Sequence, residues 1–222
     1  LAWLDNVQFI SDPPGKNDGS KGLGGGGATL TALEQLVRES KHSIDIQSPY
    51  LVTTDESRAL LRDAVRRGVA VRILTNSLAS TDNLEAFSGY QRDRKALLET
   101  GVRVFEFRPD AAERMTMMTG ALQADSAHMP VFGLHAKSMV VDGEITVIGT
   151  FNFDPRSANL NTECITIIRS KEIAGRVQAG MEREFGADNS WEATLASNPD
   201  HLADMKKRAR ALTRRVVPKG VL

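Results

Sequence analysis

HAKSMVVDGEITVIGTFNFDPRSANLNTE, running from His135 to Glu163, is the stretch from which the rest of the chain is read. His135 and Lys137 lie two apart in a run of strand-forming residues, so in a strand they leave from one face. Asp142-Gly143 is a turn signal and ITVIG (Ile145 to Gly149) reads as a return strand, which predicts a hairpin. If the extended conformation continues past Gly149, Thr150 and Asn152 also share a face. The hairpin then gathers an imidazole, an ammonium, an amide and a hydroxyl, a set suited to attack on a phosphodiester.

The spacing H-x-K-x-x-x-x-D (His135, Lys137, Asp142), trailed by Gly149-Thr150-Phe151-Asn152, resembles the HKD signature of the phospholipase D superfamily. The continuation FDPRSANLNTE, with SPY (Ser48 to Tyr50), TNS (Thr75 to Ser77) and GYQRDRKALLETGV (Gly89 to Val102), resembles bacterial cardiolipin synthases and related phosphatidyltransferases. The resemblance implies an α/β phospholipase D-like domain with a mixed, largely parallel central sheet and helices on both faces. It also implies a phospholipid substrate and a bacterial protein peripheral to the cytoplasmic membrane. Enzymes of that family use two HKD motifs, and these 222 residues hold one. With Leu1 in place of a starting Met, the chain reads as the C-terminal half of a longer polypeptide. The second half would come from upstream in that polypeptide or from a copy in a homodimer.

Around the motif, residues 1–28 end an apolar run in a short strand and continue as a Gly/Pro-rich segment, read as a flexible linker; residues 29–222 form the catalytic half-domain. Gly22 to Gly27 matches G-x-G-x-x-G in letters, but no strand leads into it and no Gly-Lys-Ser/Thr follows, so neither a dinucleotide fold nor a P-loop is expected. Helices are expected over Thr29 to Ser40, over Asp55 to Arg67 (capped at Asp55, stopped by Gly68) and over Asn83 to Thr100. The strands between them, SIDIQ, VAVRILTNS and VRVFEF, imply right-handed crossovers and parallel pairing. Ligands gather at carboxyl ends of such strands, which makes Ser48, Tyr50 and Asn76 candidates to line a cleft; capping of the strands is the competing reading. Tyr90 and Arg94 read as a solvated helix face, with phosphate contact as the alternative. Arg108 to Gly133, carrying Met115, Met117, Met118, Met129 and Phe132, reads as either a substrate-contacting loop or an amphipathic helix. The last helix, within residues 199–215, bears Lys206, Lys207, Arg208, Arg210, Arg214 and Arg215, with Lys219 beyond. That basic tail reads as a solvated face, contact with anionic headgroups being the alternative.

Composition narrows the classes. Lys+Arg and Asp+Glu number 28 each, so no overall charge favours nucleic acid, which makes a nuclease the weaker reading. There is no signal-peptide pattern and no run of 18 apolar residues. The single cysteine, Cys164, allows no internal disulfide and reads as a buried core thiol. The candidate catalytic set is His135, Lys137, Asp142, Asn152 and Glu163; Thr150, Ser48, Tyr50 and Asn76 are candidates for substrate binding. A neutral imidazole can attack phosphorus without bringing negative charge, giving a phosphohistidine, and an imidazolium can protonate the leaving oxygen. Lys137, Asn152 and Thr150 would stabilise the equatorial oxygens. Asp142 is expected to buttress the hairpin. For Glu163 the resemblance implies a carboxylate that accepts from the histidine Nδ1–H. The scheme calls for no cofactor and no metal, and the four histidines show no metal-ligand spacing.

Overall fold

Alternating β-branched segments and amphipathic helices build, in a computed structural model of the chain, one eight-stranded sheet; the structure describes residues 3–17, 24–113 and 133–218. The strands are β1 (Val7–Ser11), β2 (Ser43–Gln47), β3 (Ala70–Asn76), β4 (Arg103–Phe107), β5 (Ser138–Val141), β6 (Ile145–Gly149), β7 (Cys164–Arg169) and β8 (Ser190–Ala193). Their order across the sheet is β1-β7-β6-β5-β2-β3-β4-β8. The helices are α1 (Ala28–Glu39), α2 (Asp55–Arg66), α3 (Leu84–Leu98), α4 (Pro155–Asn159), α5 (Lys171–Phe185) and α6 (Met205–Arg214), with a 3-10 turn at Pro199–Leu202. The Met-rich segment with Met115, Met117, Met118, Met129 and Phe132 lies outside the described residues, as do Gly22 and Lys219.

The mixed sheet with helices on both faces is the expected class. Among the named strands, β2-β3-β4 pair parallel, where helices supply the crossovers, and the other neighbours pair antiparallel. The parallel share is smaller than the helix–strand rhythm implies, because the β5–β6 hairpin inserts beside β2 and propagates its antiparallel sense through β7 to β1. On one face, Ile44, Ile46, Ile73, Val104, Met139 and Val147 pack with Leu33 and Leu36 of α1, Leu61 of α2 and Phe87 of α3. On the other, Leu74, Phe105, Phe107 and Val140 pack with Ala174, Met181 and Phe185 of α5. This is period-2 alternation of a sheet buried on both sides.

One expectation is met and three are corrected in detail. The short strand expected at the end of the first apolar run is present as an edge strand, paired to β7 from Val7↔Ile168 to Ser11↔Cys164. The cap of α2 is Thr54, one residue before Asp55: its side chain accepts from Ser57 N while Ser57 Oγ accepts from Thr54 N, a capping box. Tyr90 and Arg94 are buried, not solvated, since Tyr90 Oη and Arg94 Nη1 donate to Glu106 at 2.8 and 2.9 Å. Burial of that carboxyl, only partly offset by Arg94, pushes it up to about 7. Cys164 is part-buried, because it points to the side of β7 opposite the buried Ile165 and Ile167.

Asp142 ties the two halves of the sheet together. It and Gly143 adopt positive φ (54° and 65°) in the hairpin loop, a conformation that Asp and Gly reach more easily than most residues. Its carboxylate accepts from the backbone N–H of Lys41, His42 and Ser43 at 2.9, 2.7 and 2.9 Å, where the chain enters β2. Burial raises its pKa, but these three donors outweigh it and leave the group below its ordinary value of 3.8. A depressed carboxyl adds stability above its unfolded pKa, and that stability is lost as pH falls through the folded value. Asp142→Ala is therefore expected to lower the urea unfolding free energy by roughly 2 kcal/mol at pH 7, with the gap from wild type shrinking below pH ~4. Equal midpoints at pH 7 would contradict this.

Candidate active site

The site lies along one edge of the sheet because of strand direction. β5 runs against β2, with Gln47↔Ser138 as partners, so the residues just before β5 meet those just after β2. β6 ends at the same edge and β7 starts there, with Gly149↔Ile165 in register. His135, Lys137, Tyr50, Thr150, Asn152 and Glu163 are thus brought to one edge. Asp142 is at the other: the four β5 residues separate it from Lys137, a rise of about 17 Å.

Lys137 Nζ lies 3.1 Å from His135 Nε2 and donates to the His135 carbonyl at 3.2 Å. An ammonium has no lone pair, so where Lys137 is the donor in this contact, Nε2 is the acceptor. Tyr50 meets the His135 ring edge-on, centroids 6.2 Å apart, and its hydroxyl donates to Asp82 at 3.2 Å. Burial lowers the pKa of Lys137, although Glu163, Asp154 and Asp82 oppose that. Burial also raises that of Tyr50, reinforced by Asp82.

On the β6–β7 side, Gly149 is dictated by a close approach: a Cβ there would come within 2.2 Å of the Cys164 carbonyl oxygen. The exposed Thr150 donates its hydroxyl to Glu163 Oε2 and accepts from Cys164 N at 3.0 Å. Asn161 Nδ2 donates to Glu163 Oε1 at 3.2 Å. The Glu163 carboxylate is thus committed to Thr150 and Asn161, and among the described residues no hydrogen bond joins it to His135. Its influence reaches Lys137 instead. The Asn152 N–H donates to Ser157 Oγ at 3.1 Å, while its buried side-chain oxygen has no hydrogen-bond partner among the described residues.

Two residues expected to line the cleft are inside the protein. Ser48 is fully buried; its hydroxyl donates to the Tyr50 carbonyl at 2.8 Å and accepts from Phe153 N at 3.0 Å. Asn76 is buried and grips the backbone one residue before His135: Nδ2 donates to the Leu134 carbonyl at 2.9 Å, and Oδ1 accepts from Leu134 N at 2.8 Å. Both stand at strand ends, as read, but with polar atoms spent on protein. Asp82, Asp154, Asn161, Asp12 and Lys16 were not singled out from sequence. For Asp154 a signal existed, since Asp-Pro before a short helix is an N-cap pattern, and its side chain accepts from Ser157 N at 2.7 Å.

The same sheet-and-helix arrangement occurs in solved phospholipase D-type structures. Nuc, a phospholipase D family member from Salmonella typhimurium, superposes with TM-score 0.58 at 16% identity, covering 85% of this chain and 98% of that one. The phosphatidylserine synthase of Haemophilus influenzae Rd KW20 does so with TM-score 0.64 at 13% identity, covering 98% and 47%. The fold is that of the phospholipase D class. The chain itself belongs to the family described as cardiolipin synthase, PLD-like domain, which matches residues 33–185. It is 37% identical over 196 residues to cardiolipin synthase C of Escherichia coli K12, covering 88% of this chain and 40% of that protein. With cardiolipin synthase A of Pseudomonas aeruginosa PAO1 it shares 28% over 151 residues, 68% of this chain and 26% of that one. The chain therefore spans two fifths or less of the length of these relatives.

Behind Lys137, Ser138 Oγ donates to Gln47 Oε1 at 2.5 Å, and Gln47 Nε2 donates to Glu184 of α5. Burial pushes the Glu184 carboxyl up to about 7, against the Gln47 donor. For a raised carboxyl the protonated form is favoured by folding, so stability present below the unfolded pKa is lost as pH rises through about 7. Glu184→Gln, which keeps an acceptor for Gln47, is expected to raise the melting temperature at pH 8 and to leave it unchanged at pH 4. Thermal unfolding at both pH values checks this; a variant no more stable than wild type at pH 8 would refute it.

Proposed function

We propose that this chain supplies one HKD half of a phosphatidyl-transfer site that works through a phosphohistidine, with His135 as its reacting histidine. The observation that carries the reading is the placement of Lys137 Nζ 3.1 Å from His135 Nε2 at the open edge of the sheet. A phosphodiester entering there would draw the ammonium to its oxygens and free the Nε2 lone pair. Attack on phosphorus would form a P–N bond and break the bond to the leaving alkoxide, which takes a proton from the histidine of the second half; the acceptor alcohol, giving its proton back to that second histidine, then attacks phosphorus, forming the new P–O bond and breaking the P–N bond to release His135. Whether His135 is the nucleophile or the proton donor, Nε2 is the nitrogen that acts. Lys137 and Asn152 would neutralise the equatorial oxygens, while Glu163 holds Thr150 at the edge.

A lipid substrate is supported by the surroundings. An apolar cavity of about 290 Å³ lies between α1, α2 and the Phe151–Asn159 stretch, with Leu30, Leu33, Leu60, Phe151 and Phe153 in its walls. It borders the loop that carries Asn152. On α6, Lys207 and Arg214 dock the helix on the Ala79 carbonyl and Glu85. Lys206, Arg208 and Arg210 remain exposed and could meet anionic headgroups. Among the described residues no helix is long and apolar enough to cross a membrane, so contact of this part with the bilayer would be peripheral.

In a protein containing both halves, His135→Ala is expected to lower conversion of phosphatidylglycerol to cardiolipin at least 1,000-fold, on the order expected when an acting histidine is lost. The present chain, held as a monomer, is expected to show negligible turnover of a chromogenic phosphodiester. Near-wild-type product from His135→Ala would sink the assignment, and cleavage of single-stranded DNA without lipid product would replace it with a nuclease.

A further inference from the structure

A buried ion pair lies outside the motif and links it to the N-terminal segment. Lys16 and Asp12 pair at 2.7 Å with side-chain exposures of 1% and 0%. Charges are rarely removed from water so completely unless other hydrogen bonds support the pair, and here both members have them. Asp12 accepts from Thr29 N at 3.0 Å, Thr29 Oγ1 at 2.9 Å and Glu163 N at 3.2 Å, and its own N–H donates to the Glu163 carbonyl at 2.9 Å. Lys16 Nζ also donates to the Ser157 carbonyl at 2.7 Å. Gly27 is required beside the pair, because a Cβ there would come within 2.4 Å of Asp12 Oδ1.

Both ends of this network reach the candidate active site by one further bond. Glu163, gripped at its N–H and C=O by Asp12, presents its carboxylate to Thr150 and Asn161. Ser157, gripped by Lys16, holds Asn152 through its hydroxyl and Asp154 through its N–H. We propose that Asp12 and Lys16 are positioning residues: one buried ion pair sets Glu163 and Asn152 relative to each other, so that the segment before α1 completes the site without touching substrate. The proposal rests on the phosphatidyl-transfer reading for its kinetic consequence but not for its geometry. Thr150, Asn152 and Glu163 lie on separate stretches around α4, and a cross-brace fixed to the sheet edge is what holds them to within the tolerance chemistry demands.

The test uses the full-length protein with both halves, comparing Lys16→Met, the neutral pair Asp12→Asn/Lys16→Met, and Leu36→Ala, a core substitution in α1 chosen as a stability control. Transfer from phosphatidylglycerol in mixed micelles is measured well below each melting temperature. Lys16→Met and the neutral pair are expected to lower kcat 10- to 100-fold with KM within twofold, while Leu36→Ala keeps kcat within twofold at a comparable loss of melting temperature. If Lys16→Met does not fold, the neutral pair, which leaves no lone buried charge, carries the comparison. Amide resonances of the same folded variants give a second readout: those of Thr150, Asn152 and Glu163 are expected to shift with the ion pair and not with Leu36→Ala. A kcat within twofold of the parent in both ion-pair variants, or a loss matched by the control, overturns the proposal. If the parent shows no transfer, the reaction assignment fails by itself, and unmoved resonances at Asn152 and Glu163 would then overturn the positioning role independently.

Discussion

Antiparallel pairing of β5 against β2 is the contact on which the site depends. It joins a parallel unit, β2-β3-β4, to an antiparallel one, β5-β6-β7-β1, and turns the carboxyl ends of the first toward the start of β5. The register is held at both ends by side chains that reach across it. At one end Asp142 collects three backbone N–H groups at the entrance to β2. At the other, Asn76 at the end of β3 takes both backbone groups of Leu134. A slip of one residue would send His135 and Lys137 to the opposite face. Neither clamp needs to contact substrate to matter: each fixes where the imidazole can be.

The motif was legible because its spacing is set by strand geometry and a turn, both local. The hairpin and the return strand Ile145 to Gly149 follow from alternation and from Asp142-Gly143; the first strand, read as including His135 and Lys137, begins only at Ser138, so both residues precede it. What could not be read is nonlocal. Ser48 and Asn76 were placed at strand ends correctly, but whether such polar groups face a cleft or bond inward depends on what packs above them, here Phe153 and Leu134. Asp12 and Lys16 were hidden by composition: Pro, Gly, Asp and Lys in succession look like a solvated loop, and their burial arises from α4 and β7, more than 140 residues away along the chain. Tyr90 and Arg94 left a clue that alternation could have caught. Glu106 sits among Val104, Phe105 and Phe107 in a strand buried nearly throughout, and a carboxyl there requires a donor from the covering helix; α3 provides two.

The charge at the edge bears on why one half would need another. Glu163, Asp154 and Asp82 all act on the ammonium of Lys137. Burial nevertheless lowers the pKa of Lys137, so those carboxylates do not fully offset its desolvation. A phosphodiester brings a further negative charge to an edge where acidic groups already outnumber basic ones. On the proposed reading, the second HKD motif contributes its lysine as much as its histidine: it supplies the proton transfer that one imidazole cannot perform alone, and the positive charge without which the substrate would be repelled from the edge that His135 occupies.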